Sequence, residues 1–287
     1  MSLKQIKNQL KSTRTLQKIL GAMELASSIK LQSLTAQTRS FKRFFKDFIQ
    51  VVVSLQPHLH IQDKNHFVID QKKKLILVIS TEKGLVGSLN SKLFDIIESR
   101  YKEGKDRVDL MTIGYKGEVF FRKNQRNIVA SFPLKDKINA EYLVNLYKFL
   151  EVALKDQTYS KIKIYFNHSK NAFSQSPARL TLSPLSQETL KLFLHEINIP
   201  YPDIQVNDEL IIEPNIEAYR KNTIQYVIEN LVYYCILDSK ISENSARFAL
   251  MKLANQNNQE KEKKLTTDYN KARQDKITQD LMIASLI

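Results

Sequence analysis

Apolar residues recur every three or four positions at both ends of the chain, whereas the middle consists of short apolar runs. Near the start these positions are Leu3, Ile6, Leu10, Leu16, Ile19, Met23 and Ala26. This spacing predicts a helix with one apolar face. A second helix, predicted from about Ile216, keeps regular apolar positions up to Met251, but between Ala254 and Thr267 only Leu265 is strongly apolar. Because a helix that is polar all round is unstable alone, we expect the two terminal helices to pair.

The placement of glycine and proline predicts that both terminal helices are long. All six glycines lie between Gly21 and Gly117, and the prolines run from Pro57 to Pro214. If the proline-free ends are fully helical, they extend for roughly 84 and 110 Å at about 1.5 Å per residue. Helices of this length do not fit inside a compact globule of ordinary size.

Between the ends, short apolar runs alternate with helical patterns. "KKKLILVIS" and "RVDLMTIGY" are typical of buried strands, and "SLNSKLFDIIESRYKE" of a helix between them. The alternation predicts an α/β domain with a largely parallel sheet from about Lys72 to Leu185, followed by a loop-rich passage. We therefore divide the chain into an N-terminal coiled-coil helix (1–56), an inserted α/β domain (57–213) and a C-terminal coiled-coil helix (214–287).

The chain is strongly basic, with a formal net charge of +14 and a pI near 9.6. The first 46 residues hold ten cations against Glu24 alone: Lys4, Lys7, Lys11, Arg14, Lys18, Lys30, Arg39, Lys42, Arg43 and Lys46. A stripe of one sign favours an acidic partner. The single cysteine, Cys235, is expected to be buried and fits a reducing cytoplasm. No apolar run approaches the roughly 20 residues of a membrane span, and we expect a cytoplasmic protein.

Sequence signals for catalysis, cofactors and metals are weak. "STEKGLVGSLNSKLF" follows a strand and opens a helix, but it has neither the ending of a P-loop nor the third glycine of a dinucleotide fingerprint. We interpret Gly84 and Gly87 as parts of a tight turn. The five histidines lack partners at ligand spacing, and no nucleophile triad or paired carboxylates are present. We expect a chain that is not an enzyme by itself and binds no cofactor or metal.

Several ordered segments resemble the gamma subunit of F-type ATP synthases. "IKNQLKSTRTLQKILGAMELASSIKLQ" is similar to the basic opening helix of that family, and "LVISTEKGLVGSLNSKLF" to its central strand and turn. "IGYKGEVFFRK", "IYFNHSKNAFSQSP" and "IIEPN" also have counterparts. The strongest match is "SENSARFALMKLANQN" followed by "YNKARQDKITQDL". The resemblance covers essentially the whole chain, with its motifs in the family's order.

The resemblance implies the central rotor of a rotary ATP synthase, with an antiparallel coiled coil and a Rossmann-like inserted domain. The coil would stand in the bore of a hexamer of three alpha and three beta subunits, one copy per hexamer, whose partner subunits use ATP and Mg. An epsilon-like subunit and a membrane c-ring, or a substitute base, would complete the partners at the cytoplasmic face of the membrane. By motif position, the contacts to catalytic subunits fall on Arg273, Gln274, Thr278, Arg247, Met23 and Lys30.

Departures from the family pattern keep two alternatives open. Val86 and Ser88 replace the usual Cys and Gly of the turn, Gln256 stands where Asp is common, and "MIASLI" replaces a small-residue stretch. We expect a shortened upper tip that still transmits torque. One alternative is a similar shaft in a diverged motor that drives surface movement such as gliding. The other is a free-standing basic coiled coil that binds nucleic acid, for which no recognition module is visible. The sequence leaves open the direction of work, the coupling ion and the kind of base.

Overall fold

The computed structural model describes residues 2–54, 73–103, 107–138, 140–155, 158–171, 173–203 and 216–284. Two long helices frame the fold: α1 (Leu3–Ser54) and α6 (Ile216–Ala284). The elements between them are β1 (Lys73–Ile79), α2 (Leu89–Glu103), β2 (Arg107–Ile113), α3 (Tyr115–Lys123), β3 (Ile128–Phe132), α4 (Ala140–Lys155), β4 (Lys161–Asn171), β5 (Ser174–Ser183) and α5 (Gln187–Glu196). The predicted α/β class and the helical start at Ile216 are confirmed.

The helices α1 and α6 pair antiparallel to form a shaft. Ile6 and Leu10 near the start of α1 pack against Leu265 near the end of α6. At the opposite end of the shaft, the ring of Phe41 lies 5.5 Å from that of Tyr233. As the residue number rises along α1, the number of its partner on α6 falls, and this fixes the antiparallel direction.

Buried positions recur every seven residues on both helices, and this interval makes the shaft a coiled coil. Buried residues on α1 include Ile6, Thr13, Leu20, Ser27, Leu34 and Phe41, each seven positions after the last. Buried residues on α6 include Leu237, Asn244, Met251, Asn258 and Leu265, with the same interval. A repeat of seven residues keeps one seam of each helix against its partner when the two wind around each other. Small and polar residues occupy several seam positions, so hydrogen bonds contribute to the pairing.

The inserted domain is a five-stranded sheet in the order β3-β2-β1-β4-β5. β1 pairs in parallel with β2 and β4, β2 pairs in parallel with β3, and β5 closes the edge antiparallel to β4. β1 lies at the centre because its apolar run, Leu75–Ile79, is buried on both faces. The largely parallel sheet predicted between Lys72 and Leu185 is thereby confirmed, with a hairpin at one edge.

Alternate residues of β1 face two different cores. Leu75, Leu77 and Ile79 join the large core formed with α4, α5 and the lower halves of the shaft helices. Ile76 and Val78 face the smaller core, which includes α2 and α3 residues. The alternation follows from the twofold period of a strand. The sheet is therefore packed directly against the shaft on one face.

One helix falls inside the passage that the sequence predicted to be loop-rich. α5 begins after Ser186, whose side chain accepts a hydrogen bond from the backbone N–H of Thr189, and it buries Leu190, Phe193 and Leu194. The later part of that passage, with Pro214, lies outside the described residues, as does the segment between α1 and β1. The division of the chain at residues 56 and 213 therefore stays a prediction.

Candidate interaction surface of the shaft

The end of α6 projects beyond its partner helix. Ala272 is the last α6 residue packed against the first turns of α1, so residues 273–284, here called the overhang, extend about 18 Å further at about 1.5 Å per residue. Every residue of the overhang is exposed. The overhang also exposes large apolar side chains, namely Ile277, Leu281, Met282 and Ile283. Such a patch on a single helix is typical of an interaction site.

Three of the predicted contact residues lie on the overhang. Arg273, Gln274 and Thr278 are all exposed, and the hydroxyl of Thr278 donates to the backbone carbonyl of Gln274 at 3.0 Å. Within the described part of the chain, Arg273 has no ion-pair partner. The structure therefore brings these residues together on an accessible surface, and their contact with a partner subunit stays a prediction.

Arg247 occupies a different environment from Arg273. Its Nη2 donates to the carbonyl oxygen of Gly84 at 3.2 Å and to Oε1 of Glu243 at 2.7 Å, and its side chain is only 12% exposed. The guanidinium thus connects α6 to the turn between β1 and α2. The turn itself is closed by Asn90, whose side-chain amide donates to the hydroxyl of Thr81 at 2.7 Å. A structural role for Arg247 was not visible in the sequence, and its role as a partner contact stays a prediction.

The other two predicted contacts, Met23 and Lys30, lie on α1. Met23 is half-buried and Lys30 is exposed. The ammonium of Lys30 donates to Oδ1 of Asp136 at 2.9 Å, in the loop between β3 and α4. This hydrogen bond is the main reason that the pKa of Asp136 lies below its usual value. Lys30 therefore links the shaft to the inserted domain.

The same loop is also bound to α6. Lys240 is 5% exposed, and its ammonium donates to the backbone carbonyls of Lys135 and Asp136. Burial lowers the pKa of Lys240, while the nearby carboxylates of Asp136 and Glu243 oppose that shift. A buried ammonium needs such acceptors, because an unpaired charge in the interior is costly. One loop thus holds α1 and α6 together, and nothing in the local sequence marked Lys240 as buried.

Polar contacts also set the register of the upper shaft. The side-chain amide of Asn258 donates to the carbonyl of Thr13 at 2.9 Å, and that of Asn255 to Oε2 of Glu24 at 3.2 Å. Nε of Arg14 donates to Oε1 of Glu262 at 2.7 Å. These bonds explain how the Asn- and Gln-rich stretch of α6 pairs with α1 despite its few apolar residues.

The described residues offer no evident place for a metal or a membrane span. Among them, no group of three or more His, Cys, Asp or Glu side chains is arranged to hold a metal ion. His58, His60 and His66, which the sequence placed in a polar loop, lie outside the described residues. No helix in the described part of the chain is both long enough and apolar enough to cross a bilayer.

An antiparallel coiled-coil shaft with an α/β domain at its lower half defines a stalk protein. Residues 2–283 match the family model described as "ATP synthase", and the chain therefore belongs to that family. This confirms the resemblance that the motifs indicated.

Curated relatives match along nearly the whole chain. It is 27% identical to the ATP synthase gamma chain of Xanthomonas campestris pv. campestris (strain B100), over 97% of this chain and 95% of the relative. It is 29% identical to the gamma chain of Xylella fastidiosa (strain M23), over the same shares. The gamma chain of Opitutus terrae is 26% identical, over 98% of this chain and 96% of the relative.

Solved structures show the same fold. The central stalk of the Tetrahymena thermophila mitochondrial ATP synthase aligns with a TM-score of 0.63 at 22% identity, over 82% of this chain and 99% of the other. A rotor chain of the Euglena gracilis mitochondrial ATP synthase aligns with a TM-score of 0.60 at 16% identity, over 96% of this chain and 98% of the other.

Proposed function

We propose that this chain is the central rotor shaft of an F-type ATP synthase and does not itself catalyse a reaction. The observation that carries the proposal is the antiparallel shaft with its exposed overhang, in a chain that matches gamma chains over nearly its full length. Hydrolysis or synthesis of ATP with Mg then takes place on partner subunits. The shaft's role is to couple those sites to ion translocation.

The partners follow from the shape and charge of the shaft. The upper shaft and the overhang fit the bore of a hexamer of three alpha and three beta subunits, with one copy of this chain in each hexamer. Arg273, Gln274 and Thr278 then contact acidic loops of the catalytic subunits. An epsilon-like subunit and a membrane c-ring contact the base, so the chain is peripheral at the cytoplasmic face of the membrane. The net charge of +14 supports acidic partners.

The mechanism rests on asymmetry. A single shaft in a threefold bore presents a different face to each catalytic subunit, so the three sites differ in their affinity for nucleotide. Rotation exchanges these faces and shifts each site in turn through binding, chemistry and release. Only contacts that differ between the states can drive such a shift. The inserted domain lies on one side of the shaft, where a force from the base can turn it.

The test is to tag the chain in its own cells, purify it gently and measure the mass and subunit composition of the complex. We expect one copy of the chain with three alpha and three beta subunits on a membrane ring. A variant that ends at Ala272 keeps the packed shaft but lacks the overhang, and we expect it to assemble with reduced ATP-driven rotation. The same hexamer on a different base would indicate a motor for another process. Copurification with nucleic acid and no hexamer would overturn the proposal.

A further inference from the structure

A polar joint connects the shaft to the sheet. Residues 238–242 of α6 lie against residues 167–169 of β4 and exchange four hydrogen bonds with them. The backbone N–H of Asn167 donates to Oγ of Ser239 at 3.3 Å, and its carbonyl accepts from the hydroxyl of Ser242 at 2.8 Å. The other two bonds go to Asp238. All the α6 side chains in these bonds are buried, so the joint is shielded from water.

Asp238 binds β4 at two points. Its Oδ2 lies 2.6 Å from Nδ1 of His168, and its Oδ1 accepts from the backbone N–H of Ser169 at 3.2 Å. The side chains of His168 and Asp238 are only 18% and 6% exposed. We propose that His168 and Asp238 form a protonation-dependent clamp that holds α6 against β4. It is a property of this chain alone and does not depend on the proposed function.

The groups around the imidazole favour its protonated form. The hydrogen bond that the imidazole donates to Asp238 raises the pKa of His168; burial opposes this shift, and the charges of Asp238 and of Glu196 on α5 reinforce it. Lys170, two residues along β4, acts in the opposite direction. On α1, burial lowers the pKa of Lys42, and the charge of Asp238 partly restores it. Charged groups on α1, α5, α6 and β4 therefore all lie near the joint.

The direction of the pH dependence follows from this raised pKa. The protonated imidazole binds Asp238 in the folded chain but meets water in the unfolded chain, where histidine titrates near about 6.5. The stabilisation is therefore fully present below that pH, and it is lost as the pH rises through the higher pKa of the folded state. The clamp is tight while His168 is protonated, and it weakens when the imidazole loses its charge.

The first test is an NMR titration of the full-length chain with labelled histidines. The signal of His168 is assigned by its loss in His168→Gln, and the exposed His195 on α5 serves as the internal control. We expect the midpoint of His168 to lie above the ordinary value of about 6.5 and to move down in Asp238→Asn. A midpoint of His168 at or below about 6.5 that Asp238→Asn leaves unchanged would overturn the clamp.

The second test needs no change at Asp238, so it stands even if Asp238→Asn does not fold. Hydrogen exchange of the Ser169 amide, which donates to Asp238, is compared between the unmodified chain and His168→Gln. Glutamine keeps a hydrogen-bonding side chain but cannot carry the charge. We expect a several-fold loss of protection in the variant at a pH below the measured midpoint of His168 and equal protection at a pH above it. An equal effect at both pH values would mean that His168 acts only by packing, which contradicts the proposal.

Discussion

The guanidinium of Arg247 on α6 donates to the carbonyl oxygen of Gly84, 163 residues earlier in the chain. The same nitrogen binds Glu243 one helical turn away. Arg273, by contrast, stands on the exposed overhang. The two arginines that family motifs assign to partner contacts therefore have different surroundings, one connecting two parts of the chain and the other facing outward. Their substitutions are expected to have different effects.

Arg247→Ala is expected to lower the free energy of unfolding by about 1.5–3 kcal/mol, because it removes charge-assisted hydrogen bonds in a shielded place. Arg273→Ala is the matched variant and is expected to leave that free energy within about 0.5 kcal/mol. Its effect should appear in the assembled complex as a roughly tenfold loss of ATP-driven rotation rate, since a charge-assisted bond of about 1.5 kcal/mol corresponds to that factor. Urea unfolding measures the change in the free energy of unfolding, and observation of single complexes measures the change in the rotation rate. Equal destabilisation by both substitutions would contradict the different roles of Arg247 and Arg273.

Two neighbouring phenylalanines on α1 are expected to differ sharply in their contribution to stability. Phe45 is 0% exposed and packs its ring 6.0 Å from that of Phe193, whereas Phe44 is 55% exposed. Phe45→Ala should cost about 3–5 kcal/mol, because it leaves a cavity where α1, α5 and the sheet meet. Phe44→Ala should cost less than about 1 kcal/mol. Thermal and urea unfolding of the full chain test the difference, and a comparable loss from both would show that the core is not anchored at Phe45.

The buried carboxylate of Asp109 on β2 should make the inserted domain sensitive to acid. Its oxygens accept from the ammonium of Lys73, the hydroxyl of Tyr159 and the amide of Asn127, at 2.7, 2.8 and 2.7 Å. Burial raises the pKa of Asp109, but these hydrogen bonds outweigh it and hold the pKa below its usual value. The stabilisation is therefore present above the unfolded-state value of about 3.9 and is lost as the pH falls through the lower folded-state pKa.

Asp109→Asn is expected to cost about 2 kcal/mol or more at pH 6, because it leaves Lys73 without its anion. The difference from the unmodified chain should shrink as the pH falls below about 4, because Asp109 is protonated first in the unfolded chain and then, at its lower pKa, in the folded chain. Asp95→Asn on the exposed face of α2 is the control, expected to change stability by less than about 0.5 kcal/mol. Urea midpoints measured from pH 6 to pH 3 provide the comparison, and a gap that stays constant over this range would refute the role of the charge.

Two glycine-to-alanine substitutions are expected to change the stability of the folded chain in opposite directions. Gly114, between β2 and α3, has a φ of +98°, and a Cβ there would lie 2.2 Å from the carbonyl oxygen of Ser80. Gly114→Ala should therefore cost at least about 3 kcal/mol. Gly21, inside α1, has no atom within 4 Å of such a Cβ. Gly21→Ala should stabilise the chain by about 0.5–1 kcal/mol, because alanine favours the helix. Calorimetry of both variants is the measurement, and the prediction fails if they shift the unfolding temperature in the same direction.

Local sequence signals were sufficient for the long helices and the central strands. The absence of proline and the three-four spacing predicted α1 and α6, because proline interrupts a helix and apolar residues three or four apart lie on one helical face. The apolar run of β1 predicted a buried strand, because a strand covered on both faces needs no polar positions. α5 was missed, since it is only ten residues long and lies between Pro184 and Pro200.

The sequence by itself determined two terminal helices that must pair, an alternating α/β insertion and the ordered motifs of the family. Tertiary structure alone decided which polar side chains are buried and what they bind. Lys240 reaches a loop more than 100 residues away, and His168 meets Asp238 across 70 residues. Such pairs carry no local signal, because a lysine or an aspartate has the same neighbours in sequence whether its charge faces water or a buried partner. Only the packing of α6 against the sheet removes that water and requires each buried charge to be matched.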